Sequence, residues 1–337
     1  MNKINIYEWT KSIIAGKNRV AIPIMTHPGI ELIGKTVFDA VTNGDIHYQA
    51  IKTLDEKYPS AACTVIMDLT VEAETFGASV NFPTDEIPNV IGRLVADEES
   101  VKALPIPDMN QGRIPQYLSA NKLAAENIMN KPVFGGIIGP FSLAGRLFDM
   151  SEIMMACYDE PEVALLLLEK CTVFLKNYCL ALKEQGINGV VIAEPAAGLL
   201  SNDGCSEFSS QFVRSIVEAV QDEHFMVILH NCGNAGHCTQ AMLETGAMAY
   251  HFGNKIDMEK VLKECPQNVL IMGNIDPVTI LKSSTADEVY KFTSELLDKT
   301  SVYPNFILST GCDVPPHTPH DNIEAFYRAL ADYNNNL

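Results

Sequence analysis

The chain has 337 residues, of which 47% are hydrophobic and 20% are charged, a composition typical of a globular protein with a large core. Its formal net charge of −18 would repel phosphate backbones, which argues against nucleic acid as a partner. Residues 1–20 lack the apolar stretch of a secretory signal, and residues 133–145, the most apolar segment, are too short for a membrane span of ~20 residues. We therefore expect a cytoplasmic protein that makes no membrane contact. The nine cysteines are an odd number, which favours reduced thiols or a metal site over a disulfide framework.

Eight short apolar runs, rich in β-branched residues, alternate with helical patterns along the chain. The runs are residues 21–26, 63–69, 133–139, 189–194, 226–230, 249–252, 269–273 and 306–309. They are continuous rather than alternating, as expected of parallel strands that are buried on both faces. The sequence therefore predicts an α/β protein, a single (β/α)8 TIM barrel that uses residues 1–337 as one domain. A doubly wound open sheet is the alternative, because periodicity alone does not say whether a sheet closes.

A long insertion separates the second and third predicted strands, from about residue 70 to residue 131. It contains several prolines, which interrupt any long regular element. We expect this insertion to cover one end of the barrel with one or two helices.

Polar residues stand where the apolar runs stop. Asp68 lies near the end of the second run, Glu194 ends the fourth, and His230 ends the fifth. Cys232 follows two residues later, and Cys312 comes just after the eighth run. In a barrel of this kind the functional groups gather at the C-terminal ends of the strands, so we expect these side chains around one mouth.

A metal site is the main hypothesis for this mouth. His230 and Cys232 are two residues apart, so in extended backbone their side chains point to the same side. Together with Cys312 they supply one nitrogen and two sulfurs, which suit tetrahedral zinc with a fourth position left open for catalysis. The alternative is a buried histidine with two ordinary core thiols. His237 and Cys238 are nearby competitors, but we expect them in the following helix, where they would point away from the mouth.

Several stretches resemble the uroporphyrinogen decarboxylase superfamily, and within it the zinc-dependent methylcobamide:coenzyme M methyltransferase branch. They are ILHNCGN (residues 228–234), GNIDP (273–277), STGCD (309–313), IGPF (138–141) and MDLTVEAETFG (67–77). The resemblance spans about residues 10 to 330. It implies that His230, Cys232 and Cys312 hold Zn²⁺. It also implies an enzyme that moves a methyl group between a methylated corrinoid protein and a zinc-activated small thiol such as coenzyme M or homocysteine.

Two other functions stay open within this resemblance. The uroporphyrinogen decarboxylases carry an arginine-rich loop that grips porphyrin carboxylates, whereas residues 23–32 here contain no arginine. Cofactor-free porphyrinogen decarboxylation is therefore the weaker hypothesis. A non-catalytic protein that binds a corrinoid or a metal on the same barrel is the third. The thiol acceptor and the direction of methyl transfer are not readable from the sequence.

Two carboxylates are candidate catalytic residues. Glu194 would occupy the fourth zinc position or hydrogen-bond the incoming thiol, and a strand-end carboxylate with local partners is an equal interpretation. Asp68 would orient His230 or a substrate group, and a structural hydrogen-bonding role is equally plausible.

Four further residues are candidates for contact with the corrinoid. Gly139 and Pro140 would shape backbone that the macrocycle approaches. Asn274 combines site lining with turn chemistry, and His317 is either a surface residue or a contact to a corrinoid side chain. No role follows from the sequence for His251.

Overall fold

The computed structural model describes residues 4–65 and 67–337. The strands are β1 (Cys63–Thr64), β2 (Ser79–Asn81), β3 (Asn89–Ile91), β4 (Val133–Ile138), β5 (Gly189–Ala193), β6 (Met226–Asn231), β7 (Ala249–Phe252), β8 (Leu270–Ile275) and β9 (Phe306–Thr310). The first eight α-helices are α1 (Ile6–Ala15), α2 (His27–Leu32), α3 (Val37–Thr42), α4 (Gly44–Lys57), α5 (Val71–Phe76), α6 (Glu98–Ala103), α7 (Ile114–Asn127) and α8 (Pro140–Phe148). The others are α9 (Met150–Asp159), α10 (Pro161–Glu184), α11 (Asn202–Cys205), α12 (Gln211–Val220), α13 (Thr239–Leu243), α14 (Met258–Glu264), α15 (Ala286–Lys299) and α16 (His320–Asn335). A 3₁₀ helix covers Pro195–Leu199, and π-helical turns cover Ser206–Ser210 and Pro277–Lys282.

Seven strands form one parallel sheet in the order β1-β4-β5-β6-β7-β8-β9. Residues 21–25 lie between its two edges. Ala21 forms a parallel bridge with Leu308 of β9, and its carbonyl accepts a hydrogen bond from the N–H of Ala61, just before β1, at 2.9 Å. The sheet therefore closes on itself, and the predicted (β/α)8 barrel is confirmed.

The first two predicted strands are shorter in the structure than in the sequence-based expectation. Residues 21–26 form a single bridge rather than a ladder, because Pro23 lies among them and has no N–H to donate. The second predicted strand, residues 63–69, is regular only at Cys63 and Thr64, and residue 66 lies outside the described residues. Asp68 is therefore presented from irregular backbone rather than from a strand.

The barrel interior is built from alternate residues of the strands, as a period of two requires. Ile22, Val191, Ile228 and Ile307 belong to this inner cluster of buried side chains. Helix α1 closes the N-terminal end, where the ring of Trp9 meets that of Phe134 edge-on with centroids 6.0 Å apart. The C-terminal end is consequently left as the open mouth.

The insertion between β1 and β4 contains three helices, α5, α6 and α7, where one or two were expected, and also an antiparallel β2–β3 hairpin that the sequence did not predict. Both hairpin strands are only three residues long and have exposed side chains at their ends, so no apolar run marked them. Within the described part of the chain, no helix is both long enough and apolar enough to cross a bilayer.

Candidate metal centre

Strand β6 delivers His230 and Cys232 to the mouth. Ile228 and His230 lie on the inward side of this strand, and Cys232 continues the same alternation beyond its end. The side chain of Asn231 accepts hydrogen bonds from the N–H groups of Gly233 and Asn234, at 3.0 and 2.9 Å, which turns the chain immediately after Cys232. The turn fixes the thiol near the imidazole two residues earlier.

Strand β9 delivers the third residue. Gly311 follows β9 and donates its N–H to the carbonyl of Ile275 at 2.7 Å. A Cβ on Gly311 would lie 2.6 Å from the nitrogen of Asn254, so only glycine lets the chain pass here. The next residue, Cys312, places its Sγ 3.6 Å from His230 Nε2.

The structure brings together the three residues that were predicted as zinc ligands. The ligand atoms of His230, Cys232 and Cys312 all lie within 4.8 Å of one another. His230 is buried and both thiols are half-buried, so the cluster is reached from the mouth. One imidazole nitrogen with two thiolates is a donor set that tetrahedral zinc accepts, with one position open.

The two thiols have unequal acidity. A hydrogen bond from Cys312 lowers the pKa of Cys232, although burial opposes this, and the exposed Lys255 acts in the same lowering direction. The same hydrogen bond, together with burial, raises the pKa of Cys312. Cys232 is therefore the thiol that ionises more readily.

Two residues that the sequence did not predict, His251 and Ser309, support the cluster from inside the barrel. His230 Nδ1 lies 2.7 Å from Nδ1 of His251, which is its register partner on β7. His251 Nε2 lies 2.8 Å from Oγ of Ser309 on β9. The sequence did contain one signal for His251. It is two residues after the inward-facing Ala249, and side chains two residues apart on a strand point to the same side.

The expectation that Asp68 orients His230 is wrong. Its carboxylate accepts hydrogen bonds from Arg113, from the hydroxyl of Tyr117 at 3.1 Å and from the hydroxyl of Thr70 at 2.7 Å. The Nδ1 of His230 faces His251 instead. The structural interpretation of Asp68 therefore agrees with its contacts.

Glu194 is buried at the N-terminus of α8. One carboxylate oxygen accepts from the N–H of Phe141 at 2.7 Å and from the hydroxyl of Ser209 at 3.0 Å, and the other accepts from the N–H of Ser142 at 2.8 Å. Burial raises the pKa of Glu194, and these hydrogen bonds partly offset that effect. The carboxylate thus stabilises a helix N-terminus. Its role as a fourth zinc ligand stays a prediction.

Gly139 and Pro140 lie directly against this carboxylate. A Cβ on Gly139 would lie 2.4 Å from an oxygen of Glu194, so glycine is required for the close approach. Pro140 begins α8, where a missing N–H has no cost. The local structure therefore explains why glycine and proline occupy these two positions. Their contact with a corrinoid stays a prediction.

Asn274 and His317 also have protein partners. The amide of Asn274 donates to the carbonyls of Gly253 and Ile256 at 2.9 and 2.8 Å, which holds the loop after β7. The imidazole of His317 is 65% exposed and lies 3.4 Å from the carboxylate of Glu31. Contact of these two residues with a corrinoid stays a prediction.

The fold and the site define a (β/α)8 barrel with a candidate metal centre at its mouth. The family model for uroporphyrinogen decarboxylase (URO-D) matches residues 19–333. The chain therefore belongs to the uroporphyrinogen decarboxylase family, as its motifs indicated.

Relatives come from both branches of this family. Methylcobamide:CoM methyltransferase MtbA of Methanosarcina acetivorans is 29% identical over 285 residues, which are 81% of this chain and 80% of that protein. Uroporphyrinogen decarboxylase of Alcanivorax borkumensis is 25% identical over 306 residues, 87% of this chain and 85% of that protein. A methyltransferase from Methanosarcina mazei shares the fold with a TM-score of 0.86 at 21% identity, covering 98% of this chain and 99% of that one. The prediction of a corrinoid-dependent methyltransferase agrees with the names of these methyltransferase relatives.

Proposed function

We propose that this enzyme moves a methyl group between a methylated corrinoid protein and a small thiol, with one zinc ion held by His230, Cys232 and Cys312. The observation that carries the proposal is the convergence of these three ligand atoms within 4.8 Å at the open end of the barrel. Relatives named methylcobamide:CoM methyltransferases support the corrinoid donor and the thiol acceptor.

The cluster suits the chemistry of an activated thiol. Zinc would stabilise the deprotonated form of the substrate thiol near neutral pH. In the transfer, the substrate sulfur attacks the methyl carbon, so an S–C bond forms while the Co–C bond breaks. The electron pair of the broken bond stays on the corrinoid cobalt, and the thiol proton passes to solvent. The protein contributes mainly positioning of the two reactants.

The residues of this chain hold the reactants on the open side of the cluster. His230 lies at the base, fixed by its buried surroundings, while Cys232 and Cys312 are partly exposed above it. A thiol and a docked corrinoid would therefore approach from the mouth. We propose small thiols such as coenzyme M and homocysteine as acceptors.

Porphyrinogen decarboxylation has less support. A porphyrinogen carries several carboxylates, which need cations to bind well. Residues 23–32, which match the arginine-rich loop of the decarboxylases, contain no arginine.

The test combines metal content with a thiol panel. Zinc-loaded protein receives methylcobalamin and, separately, coenzyme M, homocysteine and other small thiols, while the cobalamin spectrum and the product mass are followed. We expect one zinc per chain and a methylated thiol product. Cys312→Ser should lose both, whereas Cys157→Ser, a buried cysteine of α9, should lose neither.

The other outcomes identify the competing functions. Full activity in metal-free protein would contradict the zinc proposal. Coproporphyrinogen formed from uroporphyrinogen would establish the decarboxylase. Binding of methylcobalamin without methylation of any thiol would indicate a non-catalytic corrinoid-binding protein.

A further inference from the structure

A chain of hydrogen bonds runs from the backbone through the barrel interior to the candidate zinc ligand. Ser309 Oγ donates to the carbonyl oxygen of Ile22 at 2.7 Å. Ser309 Oγ also lies 2.8 Å from His251 Nε2, and His251 Nδ1 lies 2.7 Å from His230 Nδ1. Ser309, His251 and His230 are at most 1% exposed, so no bulk water competes for these contacts.

The direction of each hydrogen bond in this series follows from its first acceptor, the carbonyl oxygen of Ile22. A carbonyl oxygen only accepts, so the single hydroxyl proton of Ser309 is used on Ile22. His251 must then donate its Nε2–H to Ser309. In a neutral imidazole the other nitrogen is a lone-pair acceptor, so His251 Nδ1 accepts and His230 Nδ1 donates. The remaining nitrogen of His230, Nε2, carries a lone pair.

We propose that His251 and Ser309 are positioning residues that hold His230 in the Nδ1–H tautomer, with its Nε2 lone pair presented to the zinc. This inference rests on the proposed zinc site and deepens it. This lone pair points toward the other proposed zinc ligands, because His230 Nε2 lies 3.6 Å from Cys312 Sγ. A histidine metal ligand commonly donates its other ring N–H to a protein acceptor, and here that acceptor is a second imidazole.

The opposite arrangement is not compatible with the contacts. Two Nδ1–H groups facing each other at 2.7 Å would repel, so only one of the two imidazoles carries a proton there. His251 is fully buried, and its side-chain partners in this series, Ser309 and His230, carry no carboxylate that would stabilise an imidazolium. The neutral form of His251 is therefore favoured, and its Nδ1 has a lone pair to offer.

The barrel geometry explains how these residues meet. Within a barrel, inward side chains from alternate strands form one layer. His251 on β7 and Ser309 on β9 are on alternate strands, and they reach each other across β8. His230 lies beside His251 in register on the neighbouring strand β6.

Two isosteric variants test this role. His251→Leu removes the acceptor, whereas His251→Asn keeps a side-chain oxygen close to the position of Nδ1. By chelator competition we expect the zinc dissociation constant to rise about 10–100-fold for His251→Leu and less than about threefold for His251→Asn. Ser309→Ala should give an intermediate loss. Thr293→Val, which removes a buried hydroxyl in α15 away from the site, should change nothing.

The tautomer itself is read by nitrogen NMR of the metal-free protein with ¹⁵N-labelled histidine. We expect His230 protonated at Nδ1 in the parent protein, and the cobalt-substituted absorption spectrum should shift in His251→Leu but not in His251→Asn. His230 protonated at Nε2, or zinc affinity equal in His251→Leu and the parent, would overturn the inference. If no variant folds, the parent spectrum still decides. A parent protein that binds no zinc would instead remove the proposed function, while the NMR result remains a separate test.

Discussion

The two sides of the barrel mouth both carry polar residues at strand ends, but these residues differ in how many hydrogen bonds the protein donates to them. On the thiol side, formed by His230, Cys232 and Cys312, the ligand atoms face one another across less than 4.8 Å. On the carboxylate side, formed by Asp68 and Glu194, each carboxylate accepts three or more hydrogen bonds from the protein. A position at a strand end therefore does not assign a role. The supply of protein donors around the group decides whether it is free for chemistry.

The comparison predicts that the carboxylate side contributes mainly to stability and the thiol side mainly to the proposed function. The largest test is Arg113→Leu. Arg113 donates to Asp68 and to Glu74, and its guanidinium is 8% exposed. Its loss leaves the buried Asp68 carboxylate without a cation, so we expect the unfolding free energy to fall by about 3–5 kcal/mol.

Urea unfolding measures this loss, and the zinc content of the folded protein gives the second readout. Folded Arg113→Leu should retain about one zinc per chain, because no ligand was changed. Lys102→Ala, which breaks an exposed i,i+4 pair with Glu98, is the control and should unfold like the parent. Loss of zinc without loss of stability would break the comparison.

Glu72 gives a pH-dependent test of the same side. One carboxylate oxygen accepts from the N–H of Ile138 at 2.9 Å, and the other is buried without a hydrogen-bond partner among the residues that the structure describes. Burial, which outweighs that backbone hydrogen bond, raises the pKa of Glu72 to about 7 from 4.5. The folded state therefore favours the protonated form. The stability that this proton provides is present below pH 4.5 and is lost as the pH rises through about 7.

Glu72→Gln should stay neutral across this range. Its stability relative to the parent should rise by up to about 3 kcal/mol between pH 5 and pH 8, measured by urea unfolding at each pH. Glu295→Gln, at a side chain that is 51% exposed, should differ from the parent by the same amount at both pH values. A flat difference for Glu72→Gln would mean that the buried carboxyl gains no stability from its proton.

Glu194→Gln separates the two interpretations of this carboxylate. An amide replaces one oxygen that accepts hydrogen bonds from the α8 N-terminus, so we expect a loss of about 2–3 kcal/mol in unfolding free energy. Zinc stoichiometry should be unchanged if the carboxylate is structural. Ser209→Ala, which removes only one donor, should cost about 1 kcal/mol. A marked fall in zinc affinity would instead identify Glu194 as the fourth ligand.

Local pattern predicted the strands and part of the cluster, whereas closure of the sheet and the approach of Cys312 needed the general rule for barrels. Continuous apolar runs identified the strands, and the two-residue spacing of His230 and Cys232 placed both side chains on one face. The barrel rule then brought Cys312 to the same mouth. The lengths of the first two strands were predicted wrongly, because Pro23 reduces the first to a single bridge and the second is regular only at Cys63 and Thr64.

The support around the site could not be predicted in the same way. The contact of His230 with His251 depends on the register between β6 and β7, which no single-strand pattern contains. Arg113 reaches Asp68 from an insertion 45 residues further along the chain. Likewise, the donors to Glu194 come from α8 and a π-helical turn, whose packing is decided by tertiary structure.

The smallest expected effect tests how closely the carboxylate side is packed. In Gly139→Ala the new methyl group would lie 2.4 Å from a carboxylate oxygen of Glu194, so a shift is unavoidable. We expect a loss of about 2 kcal/mol in unfolding free energy. The double-mutant cycle with Glu194→Ala supplies the control, since it removes the two closest atoms, at 2.4 and 2.5 Å, and leaves only the Cβ of residue 194 at 2.9 Å. Gly139→Ala should then cost less in the Glu194→Ala background than in the parent, with a coupling energy of about 1 kcal/mol. Equal costs in both backgrounds would show that the constraint on Gly139 lies elsewhere, and the close contact would no longer explain the glycine.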